Sequence, residues 1–268
     1  MSDSFSPPLF IGGFFRSGTS LVRRILDSHP RIHCPTEIKF FKDLFGHYIN
    51  DPLAHVRFFQ TLYSAGAPNE LVLEVMGPAY LELRRRMAEK LGKSRWADKD
   101  PEHLLYLDSI EQIAPGFRLI LCIRDPRDIM SSLKEAGFRK TVPLDFADRL
   151  ALLVQQWQYA LRFMESNPDR IHVIEYESLV RQPAESLTAL FAFIDEPYSP
   201  ATLDHCFRPQ SSRGLEDPKL RQTTRIHSDS VARWKNDLTT EESTEVMARA
   251  GDLWRRLAGY GPAEIESR

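Results

Sequence analysis

The sequence predicts an α/β fold of three layers, a central parallel sheet with helices on both faces. Three observations carry that prediction. Short aliphatic runs without polar interruption, in Leu9–Ile11 and Leu119–Ile123, suit strands buried on both sides. Amphipathic stretches of helical period separate these runs, and strands alternating with helices are the pattern of crossover-connected parallel strands. The chain has 268 residues, 42% of them hydrophobic, with no Pro/Gly/Ser-rich linker and no internal repeat. Residues 1–268 therefore read as one domain, of a size that buries roughly 75% of its unfolded surface.

The first element is Leu9-Phe-Ile-Gly-Gly-Phe-Phe15, an apolar run of strand length that ends in a glycine-bearing turn. Thr19 or Ser20 is placed to cap a helix through Leu21, Val22, Ile25 and Leu26, which stops near Ser28-His-Pro30 because proline disfavours the helical backbone before it. Arg118–Ile123 is the second strong strand. It leads into a turn and a helix from Asp125-Pro-Arg-Asp128, with Pro126 tolerated in the first turn. Arg170–Tyr176 reads as a third strand, with weaker ones at Leu71–Val75 and Arg95–Asp98. Amphipathic helices are predicted over Tyr80–Leu91, Pro143–Ser166, Ala184–Ile194 and Glu241–Leu257. Between Arg208 and Lys235 the chain is polar and aperiodic, with seven Arg/Lys against three acids. A loop of that length and charge is either a solvated surface run or a functional segment.

Composition excludes several classes. The formal charge of −2 provides no global basic field, so the sequence is not that of a nucleic-acid binder, and any anion site must be built locally. No apolar stretch approaches the roughly 20 residues that cross a bilayer. Met1-Ser-Asp-Ser-Phe-Ser-Pro-Pro8 lacks the basic and apolar regions of a secretion signal. Cys34, Cys122 and Cys206 are odd in number, widely spaced and without a metal-ligand pattern. They are expected to be buried thiols of a protein in a reducing, cytoplasmic compartment. No resident metal is expected, and nothing in the sequence speaks to oligomeric state.

The turn Phe15-Arg16-Ser17-Gly18-Thr19-Ser20 joins the first strand to the first helix. Such a turn aims backbone N–H groups and the positive end of a helix dipole at one point, which makes an anion site. The hydroxyls of Ser17, Thr19 and Ser20 add donors and Arg16 adds a cationic fork. Gly13-x-x-x-x-Gly18 nearly matches the nucleotide-binding P-loop, but Thr19 stands where that motif has lysine. An ordinary capped βα turn is the bland alternative.

These residues resemble a known family. Arg16-Ser-Gly-Thr-Ser-Leu21, continuing to Leu26-Asp-Ser-His-Pro30, is similar to the 5′-phosphosulfate loop of sulfotransferases that use 3′-phosphoadenosine 5′-phosphosulfate (PAPS), in particular the tyrosylprotein sulfotransferases and their bacterial relatives. Cytosolic sulfotransferases usually carry lysine at the place of Arg16. Arg124-Asp-Pro-Arg-Asp-Ile-Met-Ser-Ser132 resembles the family's 3′-phosphate motif, in which the first Arg and the last Ser hold that phosphate. Ser132 lies about two helical turns past Arg124, a spacing that lets the pair flank one phosphate. Tyr176-Glu-Ser-Leu179 resembles a stretch whose tyrosine contacts the nucleotide, although a strand-end tyrosine also packs on a sheet. Arg233-Trp-Lys235 is similar to the late segment that closes over the 3′-phosphate. The Arg-Lys-Gly signature of the cytosolic branch is missing there, which leaves the register open. The resemblance covers most of the chain and implies a P-loop-like fold with Arg16, Ser17, Gly18, Thr19, Ser20, Arg124, Ser132, Tyr176, Arg233 and Lys235 around PAPS or its product, adenosine 3′,5′-bisphosphate.

It also implies catalytic groups. Glu37 follows His29 by eight residues, the spacing of the base in tyrosylprotein sulfotransferases. Heparan sulfotransferases place aromatics three and four residues after their catalytic Glu, as Phe40 and Phe41 stand here. A carboxylate of ordinary pKa, about 4.3, is a weak base, so burial beside aromatics would help it. The alternative is a loop glutamate paired with Lys39 or Lys42. Lys99, in Asp98-Lys-Asp-Pro101, matches the lysine that stabilises charge on the bridging oxygen; otherwise it pairs with Asp98 or Asp100. His103 is the second candidate base, since cytosolic sulfotransferases use a histidine just after that lysine, but here Pro101 occupies the family position. With Arg16 beside the sulfuryl group, Glu37 and Lys99 complete the expected machinery for in-line transfer to an acceptor hydroxyl on a peptide tyrosine, a sugar or a small molecule, with acceptor contacts expected from Phe40–Gly66 and Pro143–Trp157. A P-loop kinase or NTPase, and a non-catalytic nucleotide-binding protein on the same scaffold, are the competing readings.

Overall fold

A computed structural model describes residues 6–46, 57–135, 145–207 and 223–260. Five parallel strands form the sheet in the order β2–β3–β1–β4–β5: β1 (Leu9–Gly12), β2 (Ile32–His33), β3 (Arg95–Lys99), β4 (Arg118–Ile123) and β5 (Ile171–Glu175). Ile11 pairs with Lys99 on one side and Ile120 on the other, and Ile123 pairs with Glu175. The carboxyl ends of β1, β3, β4 and β5 thus share one edge. The chain leaves β1 toward β2, returns through β3 and crosses to β4. That reversal opens the crevice in which sheets of this type bind ligands.

The uninterrupted apolar run of β4 has a simple cause, since each face of the sheet packs a different set of helices. Phe10, Leu119, Leu121, Ile123 and Val173 face one core, shared with α4 (Asn69–Lys90), α5 (Leu107–Ile113), α6 (Pro126–Glu135), α7 (Phe146–Ser166) and the last long helix (Thr240–Ala258). Leu9, Ile11, Ile120, Cys122 and Ile174 face the other, with α1 (Thr19–Asp27), α9 (Pro183–Phe193) and α10 (Ala201–Cys206). The two-residue period sends alternate side chains to opposite cores, so every position of β4 after Arg118 is apolar. Shorter helices, α2 (Phe40–Phe45), α3 (Arg57–Ser64) and α8 (Tyr176–Arg181), flank these layers. After them come α11 (Trp234–Asp237) and α12, the helix Thr240–Ala258. Among the described residues no helix is long and apolar enough to cross a membrane.

Two expectations need correction. Leu71–Val75 is not a strand: it lies in the first turns of α4, which starts directly after Pro68 with Glu70 in its first turn, where a carboxylate meets the helix dipole favourably. The Gly77-Pro78 pair, a turn signal in most settings, is carried inside this helix. A Cβ on Gly77 would stand 2.3 Å from Ile113 Cγ2, so the glycine admits α5 against α4, and packing overrides the local signal. Neither Thr19 nor Ser20 caps α1. Gly18 is the N-cap, at φ 93°, with no side-chain cap bond, which turns both hydroxyl residues into the first helical turn. The helix predicted over Pro143–Ser166 is described from Phe146, and residues 143–144 and 208–222 lie outside the described residues.

Candidate active site

The phosphate turn is shaped by positions that tolerate no ordinary side chain. Gly13 has φ 148°, and a Cβ there would lie 2.4 Å from the Cys122 carbonyl oxygen, so only glycine lets the chain leave β1 this close to β4. Gly18, in the left-handed region, lies against the Tyr176 ring, with a hypothetical Cβ 2.8 Å from Cδ2. Arg16 is itself left-handed at φ 71°, a conformation that non-glycine residues hold mostly where a functional geometry requires it. The first amides of α1 have no carbonyl one turn back to bond. Ser17 is 1% exposed and, among the described residues, its Oγ has no hydrogen-bond partner. A buried, unsatisfied hydroxyl beside a helix N-terminus fits an anionic ligand such as a phosphosulfate.

The second motif docks onto the first. Arg124, at the end of β4, donates from Nη1 to the Arg16 carbonyl at 3.0 Å and from Nη2 to the Ser230 carbonyl. Its guanidinium lies over the Tyr176 ring at 4.6 Å, and its buried Nε has no partner among the described residues. Arg16 Nε donates to Ser132 Oγ at 2.8 Å. The expected 5′ and 3′ contacts are therefore one continuous cluster, in which Arg16, Arg124, Ser132 and Tyr176 meet. Glu177 joins it from beneath, accepting the Asp125 N–H at 3.0 Å.

On the other side of the turn stands Glu37. Its Oε1 accepts from Lys99 Nζ at 2.5 Å and its Oε2 pairs with Lys39 Nζ at 2.9 Å. Lys99, whose side chain is fully buried, also donates to Ser20 Oγ at 3.3 Å. Glu37 is clamped by two ammonium groups, while the aromatics that follow it stack on other rings, Phe40 on Tyr80 at 4.2 Å and Phe41 on Tyr106 at 5.8 Å. Lys99 pairs with neither Asp98 nor Asp100; it points into the site. Lys39, which the sequence offered only as a bland partner, is the addition. It links Glu37 to Asp100 at 2.8 Å and Glu102 at 3.5 Å, and Lys42 bonds both oxygens of Glu102 at 2.8 Å. Burial pushes the Lys39 ammonium down, but the carboxylates of Asp100, Glu37 and Glu102 outweigh it and hold it above the usual lysine range.

His103 sits beneath this floor, 1% exposed. One ring nitrogen is 3.1 Å from the Ile11 carbonyl and the other 3.7 Å from Asp98. Its ring packs edge-on against Phe10 and Phe41. That is the environment of a core histidine. The ion pairs of Arg233 run to Glu135 at 2.9 Å and Asp237 at 3.0 Å and not to either phosphate motif; Lys235 lies 5.9 Å from the Trp234 ring centroid. What this segment brings to the cluster is Ser230, its carbonyl on Arg124 and its side chain on Tyr176.

A P-loop-like turn after β1, an arginine-and-serine motif after the neighbouring β4 and a lysine-held glutamate on the β3 side of the turn make a sulfotransferase-like site. The profile of the sulfotransferase family matches residues 7–200, and the chain belongs to that family, whose reaction class is sulfuryl transfer from PAPS. It is 28% identical over 270 residues to the protein-tyrosine sulfotransferase of Drosophila melanogaster, covering 96% of this chain and 50% of that protein. To protein-tyrosine sulfotransferase 1 of Danio rerio it is 25% identical over 276 residues, covering 96% and 73%. The chain thus spans about half the length of the fly relative and most of the fish one. Among solved structures, the sulfotransferase domain of the Synechococcus PCC 7002 olefin synthase superposes with a TM-score of 0.65 at 20% identity, over 92% of this chain and 95% of that one, which shows a shared fold.

Proposed function

We propose that this chain transfers a sulfuryl group from PAPS to an acceptor hydroxyl, with Glu37 as the general base and Lys99 as the cation that meets charge on the leaving oxygen. The observation that carries this reading is the Glu37–Lys99–Ser20 chain: one buried ammonium joins a carboxylate to the first turn of the anion-binding helix. Arg16, Ser17, Gly18, Thr19 and Ser20 hold the 5′ end of the donor; Arg124, Ser132 and Tyr176 hold the 3′ end. Bound there, PAPS supplies the sulfuryl group and departs as adenosine 3′,5′-bisphosphate.

The roles of the protein's own groups follow from position. Transfer of this kind needs alignment and charge stabilisation more than covalent participation by the enzyme. Lys39 holds one Glu37 oxygen through its network with Asp100 and Glu102, which fixes the carboxylate's direction. The other oxygen shares Lys99 with Ser20. As Lys99 turns toward the departing phosphate, that oxygen is released to take the acceptor's proton. The two relatives named above act, by their names, on protein tyrosine, and a phenol is one acceptor of the hydroxyl class proposed. Placement in a reducing compartment rests on the cysteines alone, all three of them free and buried.

The kinase reading loses its metal ligand as well as its lysine. Asp125, the carboxylate after β4, is occupied by Arg127, whose backbone N–H and Nε each donate to it at 2.9 Å. Incubation with sulfur-labelled PAPS and a panel of hydroxyl compounds, read by mass spectrometry for the gain of one SO₃, tests the proposal. Label leaving the donor only when an acceptor is present supports it; a strict Mg²⁺ requirement for binding adenosine 3′,5′-bisphosphate overturns it.

A further inference from the structure

Along α6, one buried acid has no part in the transfer chemistry proposed above. Asp128 is 1% exposed, and its carboxylate receives two backbone N–H groups from a distant segment: Ala232 at 2.7 Å on Oδ2 and Trp234 at 3.0 Å on Oδ1. Ala232 is left-handed at φ 61° and Arg233 right-handed at φ −60°, the alternation that turns successive N–H groups into a concave anion seat. The protein's own aspartate fills it. The same carboxylate lies 3.8 Å from Arg124 Nη2, the nitrogen that also holds the Ser230 carbonyl.

Neighbouring residues of α6 reinforce this contact at helical spacing. The Arg127 guanidinium covers the Trp234 ring at 3.9 Å, Ser131 donates to Asp237 at 2.5 Å, and Glu135 pairs with Arg233 at 2.9 Å. Of these four α6 residues, Asp128 is the one that contacts both the segment and Arg124; from α8, Tyr176 does so too, with its ring under the guanidinium and a hydrogen bond to Ser230. Besides the Tyr176 ring, the guanidinium has three polar holds: the Arg16 carbonyl, the Ser230 carbonyl and Asp128. Two of those three holds depend on this acid, directly or through the segment it fastens.

We propose that Asp128 is a positioning residue of the donor site: by seating residues 230–234 on α6 and bracing Arg124, it gives the site its preference for a nucleotide that carries a 3′-phosphate. The inference rests on the PAPS reading given above and adds the group that sets donor selectivity without touching the donor. Asparagine keeps the shape of Asp128, removes its charge and leaves one of the two N–H groups short of its acceptor.

The test compares wild type, Asp128→Asn and Ser131→Ala by amide hydrogen exchange without ligand, and by calorimetry with adenosine 3′,5′-bisphosphate and adenosine 5′-monophosphate. In Asp128→Asn, exchange at Ala232 and Trp234 is expected to rise about tenfold or more. Affinity for the bisphosphate should fall about tenfold while that for the monophosphate changes by less than about twofold, so the discrimination between them shrinks. Ser131→Ala leaves every buried charge paired, so it reports even where the asparagine variant does not fold. It should raise exchange across the segment and reduce the discrimination by a smaller factor. Equal losses for the two nucleotides, or unchanged discrimination despite faster exchange, would make the contact structural only and overturn the proposal. Unchanged exchange in the folded variants would remove the latch itself. If wild type binds neither nucleotide, the donor reading fails and the selectivity role with it, while the exchange arm still reports whether the latch exists.

Discussion

The donor half and the acceptor half of the site use buried charge in opposite ways. Around Arg16 and Arg124 the structure keeps hydrogen-bonding capacity in reserve: Ser17 Oγ and Arg124 Nε are buried with no partner among the described residues, and the guanidinium of Arg124 is held largely by carbonyls. Around Glu37 each charge has its counterpart, Lys39 and Lys99 on Glu37, Lys39 on Asp100, Lys42 on Glu102. One half waits for an anion. The other is already neutralised and holds Glu37, the proposed base, in place. Donor-side substitutions should therefore be read in binding, and acceptor-side ones in turnover and stability.

The largest effect expected is kinetic. Glu37→Gln should lower turnover by about 10²–10⁴-fold, the usual worth of a positioned general base, with donor affinity near wild type. Single-turnover measurements with labelled PAPS and an identified acceptor check this. Near-normal turnover would sink the base assignment, and His103→Ala is the matched control, expected to act on stability first.

Next comes the floor of the acceptor half. Lys42→Ala leaves the Glu102 carboxylate beside the buried Asp100 with only the 3.5 Å contact to Lys39, and breaking a buried pair of this kind costs up to about 3–5 kcal/mol. Denaturant titration reads the loss. The double replacement Lys42→Met with Glu102→Leu should recover much of it, because neither charge is then left alone. A single substitution that costs nothing would show that this half is not electrostatically closed.

On the donor side, Arg124→Ala should weaken adenosine 3′,5′-bisphosphate binding by roughly 2–4 kcal/mol, and Ser132→Ala by about 1 kcal/mol. Calorimetry in a chelator separates this from metal effects. If both variants bind as wild type does, the reserve described above is not the phosphate site.

The smallest effect is a slope. Burial raises the Asp100 carboxyl, but the charges of Lys39 and His103 and the bonds from Lys39 and the Glu102 N–H hold it below the ordinary aspartate value of 3.8. A depressed folded pKa contributes stability that is present above the unfolded value and lost as pH falls through the folded one. Asp100→Asn should therefore flatten the pH dependence of unfolding below about pH 4 while lowering stability at neutrality. A slope there that survives the substitution would assign the acid sensitivity elsewhere.

The parts legible from sequence are those whose signal is local. β1, β3, β4 and β5 announce themselves as apolar or boundary-marked runs, and both phosphate motifs sit directly after such strands, so their place at the sheet's carboxyl edge could be read in advance. The charges of Lys99 and Glu37 were legible too, but not that they share a contact 62 residues apart. β2, at two residues, is too short for periodicity to register. Leu71–Val75 looked extended because apolar residues cluster there, and only the packing of Ile113 against Gly77 shows why a helix passes through a Gly-Pro pair. Asp128 was in plain view inside its motif. Its partners are the backbone N–H groups of Ala232 and Trp234, and backbone has no sequence signature.

The three cysteines carry a practical consequence. Each is free and buried, and burial pushes each thiol up to about 12, so that almost no thiolate exists in the folded protein at neutral pH. Alkylating reagents then react only after local opening. Cys34 lies three residues before Glu37, Cys122 is in β4 beneath Gly13, and Cys206 closes α10. Nature has left one silent reporter near Glu37, one under the donor turn and one where α10 packs against α1, so the rate at which each thiol becomes labelled times the opening of its own neighbourhood without any engineered probe.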